Sequence, residues 1–172
     1  MVAEARGPIS DIKLIKKELE KLGAEFKGDY EFTDHIYKPI HSNEIYLNKE
    51  FVRIREYNKS AWKHKKFVLV HKLTSWEKGV KISKKILKEE FDNLNDAEKK
   101  LKDYELYFKF HRTGSQYEFK DSKIFVENIE YLRASVEIIS NDKKTLDNMF
   151  NKLQITERFL DCVPKLIENK LE

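Results

Sequence analysis

The chain has 172 residues, a length typical of one domain, and 40% of them are hydrophobic, enough for a sizeable core. Charged residues make up 37% of the sequence, an excess that is typical of proteins from thermophiles. The 34 basic and 30 acidic residues give a net charge of +4. This charge is too small to favour a nucleic-acid partner, but it is compatible with a local basic cavity.

The cellular environment follows from three sequence features. Cys162 is the only cysteine, which excludes an intramolecular disulfide and a thiolate metal cluster. No run approaches the roughly 18 apolar residues of a membrane span. The first residues lack the basic and then apolar layout of a secretion signal. We therefore expect a cytoplasmic protein without a membrane partner, either a monomer or a homodimer.

A short strand and a helix are predicted at the start of the chain. Residues 2–6 form the strand, which ends at Gly7-Pro8 because proline cannot donate a hydrogen bond to a neighbouring strand. Ser10 is suited to cap the helix, and Gly23 is suited to end it. The apolar stripe of this helix consists of Ile12, Ile15, Leu19 and Leu22.

The middle of the chain consists mostly of strand-like segments. They cover residues 31–38, 44–57, 65–73, 80–88, 105–112, 116–120, 123–129 and 133–140. Thr113-Gly114 predicts a hairpin turn, residues 92–102 predict a second helix, and the pattern is helical from Asn141 onward. The fold class is therefore α+β, with roughly eight short antiparallel strands, flanking helices and a helical C-terminus.

Basic residues recur at mid-strand positions. Arg53 and Arg55 are two residues apart, so a strand sends both to one face, and such a pair favours an anion between them. A closed antiparallel sheet would aim all of these groups into one lumen, which must then hold water and an anion. The set comprises Arg6, Arg53, Arg55, Lys72, Lys81, Lys85, Lys109 and His111.

Two carboxylates share these strands with the basic residues. Glu4 and Glu137 would provide oxygen ligands for Mg²⁺ or Mn²⁺. Active sites that hydrolyse phosphoanhydrides usually combine cationic side chains on the phosphate oxygens with a metal ion. From the residues alone, the sequence therefore indicates a cavity for a polyanion, with a triphosphate as the main candidate.

The order of these elements resembles the CYTH superfamily, also called triphosphate tunnel metalloenzymes, which includes thiamine triphosphatases, inorganic tripolyphosphatases and class IV adenylate cyclases. Residues 2–6 stand in the place of its opening Glu-x-Glu-x-Lys strand, and Val52-Arg53-Ile54-Arg55 resembles its Leu-Arg-Ile-Arg strand. The other similar segments are Leu69–Lys72, Lys109–His111, Ile124–Glu127, Val136–Ile139 and Pro164–Ile167.

The resemblance implies a single CYTH-like domain over residues 1–172, built on a closed eight-stranded antiparallel barrel. Its implied ligand is a linear triphosphate: tripolyphosphate, thiamine triphosphate or a nucleoside triphosphate. The implied triphosphate-binding residues are Arg6, Arg53, Arg55, Lys72, Lys109 and His111, with Lys165 at the mouth of the tunnel. The implied ligands for Mg²⁺ or Mn²⁺ are Glu4, Glu127 and Glu137.

Departures from the family pattern leave the function open. Val2 and Ile139 stand where the family has glutamates, and residues 81–85 are basic where it has an acidic strand. Basic positions are thus retained while carboxylates are lost. Two functions follow: a metal-dependent triphosphatase, with adenylate cyclisation as a variant, or a non-catalytic phosphate-binding or nucleotide-binding module. RNA binding through the same strands is a third reading, which the small net charge does not favour.

Overall fold

The computed structural model describes residues 2–172, which form one closed antiparallel barrel with helices around it. The strands are β1 Ala3–Pro8, β2 Glu25–Pro39, β3 Glu50–Lys59, β4 Phe67–Glu77, β5 Val80–Phe91, β6 Tyr104–Phe119, β7 Ser122–Ile129 and β8 Ser135–Ser140. The helices are α1 Ile12–Leu22, α2 Leu94–Glu98, α3 Lys143–Lys152 and α4 Val163–Leu171. The predicted α+β class, the eight-stranded antiparallel barrel and the helical C-terminus are confirmed.

The first strand closes the barrel. The order around the barrel is β1-β5-β4-β3-β2-β6-β7-β8. β1 therefore lies between β5, from the middle of the chain, and β8, the last strand. It pairs with β5 at Glu4↔Lys81 and with β8 at Arg6↔Glu137, among other pairs. These two cross-strand pairs each set an acidic residue directly opposite a basic one.

The predicted hairpin at Thr113-Gly114 is wrong, because β6 continues through these residues. Gly114 lies opposite Tyr30 of β2 within a long ladder between the two strands. A Cβ atom at position 114 would overlap the Tyr30 ring. The glycine therefore permits a close approach between the two strands, which is a common reason for glycine within a sheet.

Two helix boundaries also differ from the predictions. Asp11, and not Ser10, caps α1, because its Oδ1 accepts hydrogen bonds from the backbone N–H groups of Lys13 and Leu14 at 2.9 and 3.2 Å. Gly23 ends the helix as predicted, in the left-handed conformation with φ +83°. The second helix, α2, is confined to five residues. None of the helices in residues 2–172 has the length and apolar character needed to cross a membrane.

Most of the apolar core lies outside the barrel wall. Leu19 of α1 and Phe150 of α3 pack on the outer face of β7 and β8, and α2 covers Ile54 and Leu69 in the same way. Each fully buried side chain of this size contributes roughly 1.5–3 kcal/mol. Because the helices bury the outer faces, the lumen does not have to supply the main core.

The lumen itself has an apolar end. Ile36, Phe51 and Phe110 occupy the inward positions of β2, β3 and β6, and α4 packs against them through Val163 and Ile167. The C-terminal helix therefore covers one end of the barrel. The inward positions farther along the same strands carry the charged residues described next.

Candidate functional site

All eight strands contribute side chains to a cavity of about 340 Å³ inside the barrel. Its lining contains eight cationic side chains: Arg6, Arg53, Arg55, Lys72, Lys81, Lys85, Arg112 and Lys123. Three carboxylates line it as well, namely Glu4, Glu127 and Glu137. A cavity walled by so many cations attracts anions strongly, because its field is poorly screened by water.

Asp34 organises the arginines along one wall. Its buried carboxylate accepts two hydrogen bonds from Arg55, at 2.7 and 3.0 Å, and one from Arg112, at 3.1 Å. Burial alone would raise the pKa of Asp34, but Arg55, Arg53 and Arg112 hold it well below its ordinary value. The charge of Arg55 is therefore balanced within the protein.

A second carboxylate, Glu127, connects two further arginines. It lies 2.7 Å from Arg6 and 3.3 Å from Arg112, and the Tyr30 hydroxyl donates a hydrogen bond to it at 2.7 Å. Arg6 also contacts Glu137 at 2.9 Å and donates to the Ser135 hydroxyl at 2.9 Å. These buried contacts raise the pKa of Arg6 above its ordinary value, although burial opposes that change.

Glu4 is held in the same way on the neighbouring side of the barrel. The ammonium group of Lys81 lies 2.8 Å from its Oε2 atom, and the Ser83 hydroxyl donates to its Oε1 atom at 2.9 Å. Both carboxylate oxygens of Glu4 thus have a donor. Burial opposes the ionised form of Glu4, but Lys81 lowers its pKa below the ordinary value.

The remaining cations lack such compensation. Among residues 2–172, Lys72 and Lys85 form no ion pair, and Arg53 reaches Asp34 only at 3.9 Å, with no hydrogen-bond acceptor for its buried Nε atom. Burial and the nearby charge of Lys81 lower the pKa of Lys72 to about 7. Burial and the neighbouring Arg55 lower the pKa of Arg53 to about 10. A bound anion would relieve this uncompensated positive charge.

Aromatic rings surround the lumen at the end opposite α4. Tyr30, Phe32, Tyr57 and Trp62 all line the cavity and pack against one another with ring centroids 5.3 to 6.4 Å apart. The lumen therefore has an apolar floor, a cationic middle and an aromatic rim.

The structure brings most of the sequence-predicted site residues together. Four of the seven predicted triphosphate-binding residues and all three predicted metal ligands line the cavity: Arg6, Arg53, Arg55, Lys72, Glu4, Glu127 and Glu137. Lys109, His111 and Lys165 are not among the lining residues. His111 lies 3.0 Å from Glu31, and Lys165 lies 2.7 Å from Glu168 on α4.

The phase of β6 explains why Lys109 and His111 lie elsewhere. Side chains alternate along a strand, and β6 points Phe110 and Arg112 into the barrel, so Lys109 and His111, at the alternate positions, point outward. Sequence reasoning missed Arg112 because it assigned the face of Lys109 and His111 to the lumen, and Arg112 lies on the opposite face with Phe110. It also missed Asp34, although a carboxylate between Phe32 and Ile36 on an otherwise apolar face is a recognisable signal.

The donor set does not fit a divalent metal ion. Among residues 2–172, no group of three or more His, Cys, Asp or Glu side chains is placed to hold one. Glu4 is bonded to Lys81, and Glu127 and Glu137 are bonded to Arg6. A metal ion would have to compete with these cations for the same oxygens.

Comparison with known proteins supports the fold. The chain matches no protein-family model, and no curated protein sequence matches it. The solved structure of the PH1012 protein from Pyrococcus horikoshii OT3 is similar over 96% of this chain and 99% of that one, with a TM-score of 0.77 and 16% identity. HpAC1 from Hippeastrum, an adenylyl cyclase candidate described as having a dominant triphosphatase activity, is similar over 99% and 96%, with a TM-score of 0.70 and 13% identity.

A third similar structure is the Schizosaccharomyces pombe RNA triphosphatase Pct1 in complex with the Spt5 CTD, at a TM-score of 0.50 and 11% identity over 96% of this chain and 66% of that one. Such identities establish a shared fold and nothing finer. The chain therefore has a CYTH-like fold, as its motifs predicted. Its closed barrel encloses a cavity lined mainly by basic side chains.

Proposed function

We propose that the protein binds a linear triphosphate in the cationic middle of the barrel. The observation that carries the proposal is the uncompensated charge of the largely buried Arg53 and Lys72 inside the cavity, with the exposed Lys85 on its lining beside them. These residues lie on β3, β4 and β5, which are neighbours in the barrel, so they form one continuous cationic surface. A chain of phosphates presents negative charge at regular intervals and suits such a surface.

The dimensions of the cavity support a small ligand. Its volume of about 340 Å³ falls at the lower end of the roughly 300–1,000 Å³ that is usual for ligand pockets. The aromatic rim adjoins the cationic middle, so an organic group attached to the triphosphate would contact Tyr57 and Trp62. Tripolyphosphate, thiamine triphosphate and a nucleoside triphosphate are the three candidates.

Metal-dependent hydrolysis of the triphosphate is the second candidate function. The similarity to HpAC1, which is described as having triphosphatase activity, favours it. The ion pairs of Glu4 and Glu137 oppose it, because they occupy the oxygens expected to bind Mg²⁺ or Mn²⁺. Binding is therefore the function that the geometry supports best.

Calorimetric titration with tripolyphosphate, ATP and thiamine triphosphate tests the proposal. Arg53→Ala removes a charge-assisted contact worth about 1.5–3 kcal/mol, so we expect an affinity loss of about 10- to 150-fold. Lys109→Ala is the matched control, since Lys109 is exposed and does not line the cavity. The proposal fails if none of the three ligands binds, or if both variants bind equally well.

The same samples decide between the two functions. Phosphate release is measured with each ligand in Mg²⁺, in Mn²⁺ and in EDTA. Binding without release supports the binding module. Metal-dependent release that Glu137→Gln abolishes supports the hydrolase.

A further inference from the structure

We infer that Lys81 and Arg6 stand in the place of divalent metal ions, so that the cavity binds a triphosphate without any metal. The inference rests on the proposed function and specifies the form of the ligand: the free polyanion, and not its magnesium complex. It follows from the ion pairs inside the barrel, each of which is set by strand register.

The first of these pairs joins Glu4 and Lys81. They lie directly opposite each other on β1 and β5, and their side chains meet at 2.8 Å with 6% and 11% exposure. Ser83 donates to the other oxygen of Glu4, so each oxygen already has a donor with which a metal would compete. A divalent ion at Glu4 would also approach the ammonium of Lys81, and two cations that close repel strongly in a buried site.

The second ion-paired group joins Arg6 to two carboxylates. One guanidinium nitrogen of Arg6, Nη2, lies 2.7 Å from Glu127 and 2.9 Å from Glu137, and the other donates to Ser135. These ion pairs keep the guanidinium of Arg6 charged, so it does not free the carboxylates by becoming neutral. The buried guanidinium therefore holds the two remaining carboxylates of the cavity permanently.

The positive charge of the cavity favours the free triphosphate over its magnesium complex. The protein itself supplies the positive charge on the phosphates, through Arg53, Lys72 and Lys85. Mg²⁺ in solution neutralises part of the triphosphate charge before the ligand enters the barrel. Magnesium should therefore compete with the protein for the ligand and weaken binding.

The test is a calorimetric titration of the intact protein with tripolyphosphate, once in EDTA and once in excess Mg²⁺. We expect binding in EDTA, with an affinity at least about 3-fold higher than in Mg²⁺. Binding that requires Mg²⁺ would overturn this inference and leave the proposed function standing. Absence of binding in both buffers would overturn the proposed function, and the inference with it.

Glu4→Gln sharpens the test, because the two possibilities predict opposite signs. If Glu4 only balances Lys81, removal of its charge leaves the cavity more positive, and tripolyphosphate binds several-fold more tightly in EDTA. If Glu4 holds a metal, the same change weakens binding in excess Mg²⁺, where a Glu4 that only balances Lys81 would still give tighter binding. Glu157→Gln, on the exposed surface, is the matched control and should bind like the wild-type protein.

Electron paramagnetic resonance of Mn²⁺ gives a readout that needs no triphosphate. We expect the signal of free Mn²⁺ to remain unchanged when wild-type protein is added in stoichiometric amount. Loss of that signal, restored by Glu4→Gln, would overturn the inference.

Discussion

Lys72 is expected to make triphosphate binding weaker as the pH rises above 7, and Lys72→Arg is expected to abolish this dependence. Burial and repulsion from Lys81 lower the pKa of Lys72 to about 7 in the free protein. A bound polyanion favours the charged ammonium and so raises that pKa toward the ordinary value of about 10.4. Binding of the triphosphate is therefore coupled to uptake of a proton by Lys72.

The size of the effect follows from the fraction of Lys72 that is protonated before binding. This fraction is nearly complete at pH 5 and about one half at pH 7. It is about one hundredth at pH 9, so the contribution of Lys72 to affinity falls about 50-fold from pH 7 to pH 9. That factor corresponds to about 2.3 kcal/mol. The loss begins near pH 7 and continues until the pH reaches the raised pKa of the complex.

The assay compares wild-type protein with Lys72→Arg by calorimetry at pH 6, 7, 8 and 9. Deprotonation of the ligand affects both proteins equally, so the ratio of their dissociation constants isolates Lys72. At pH 7, titrations in buffers of different ionisation enthalpy should show an uptake of about half a proton. Lys84→Arg, on the exposed face of β5, is the control and should follow the wild type. A ratio that stays constant within 2-fold from pH 7 to pH 9 would refute the reasoning.

Two further predictions concern the frame that holds the site. Asp34→Asn leaves buried arginines without their counter-charge and is expected to lower the free energy of unfolding in urea by about 3–5 kcal/mol. The control, Asp92→Asn at an exposed position, is expected to lower it by less than about 1 kcal/mol. Equal losses for the two variants would contradict the structure. Gly114→Ala pushes a Cβ atom into the Tyr30 ring and is expected to cost about 1–3 kcal/mol. An unchanged thermal midpoint for Gly114→Ala would show that β6 does not approach β2 this closely.

Local patterns in the sequence were sufficient to predict much of the site. Alternation along β3 placed Arg53 and Arg55 on one face, and the structure brings both into the lumen. The same alternation placed Val52 and Ile54 on the other face, where they are buried beneath α2. These features depend only on the two-residue period of a strand, which neighbouring residues determine.

Sequence reasoning failed where a local pattern allowed two interpretations. Gly114 is compatible with a turn and with a close approach between strands, and only the Tyr30 ring opposite it decides between them. The alternation in β6 likewise allowed either face to point inward, and the structure turns Arg112 inward and Lys109 and His111 outward. The choice therefore depended on a contact between residues far apart in the chain.

By itself, the sequence determined the α+β class and the recurrence of basic residues along the strands, because composition and strand period are local properties. The closed barrel was predicted from the order of the motifs that resemble the family. Only the tertiary structure decided which charges are balanced. Glu4 meets Lys81 and Arg6 meets Glu137 because β1 closes the barrel between β5 and β8 in one particular register. That register leaves Lys72 without a carboxylate partner while it pairs the expected metal ligands with internal cations.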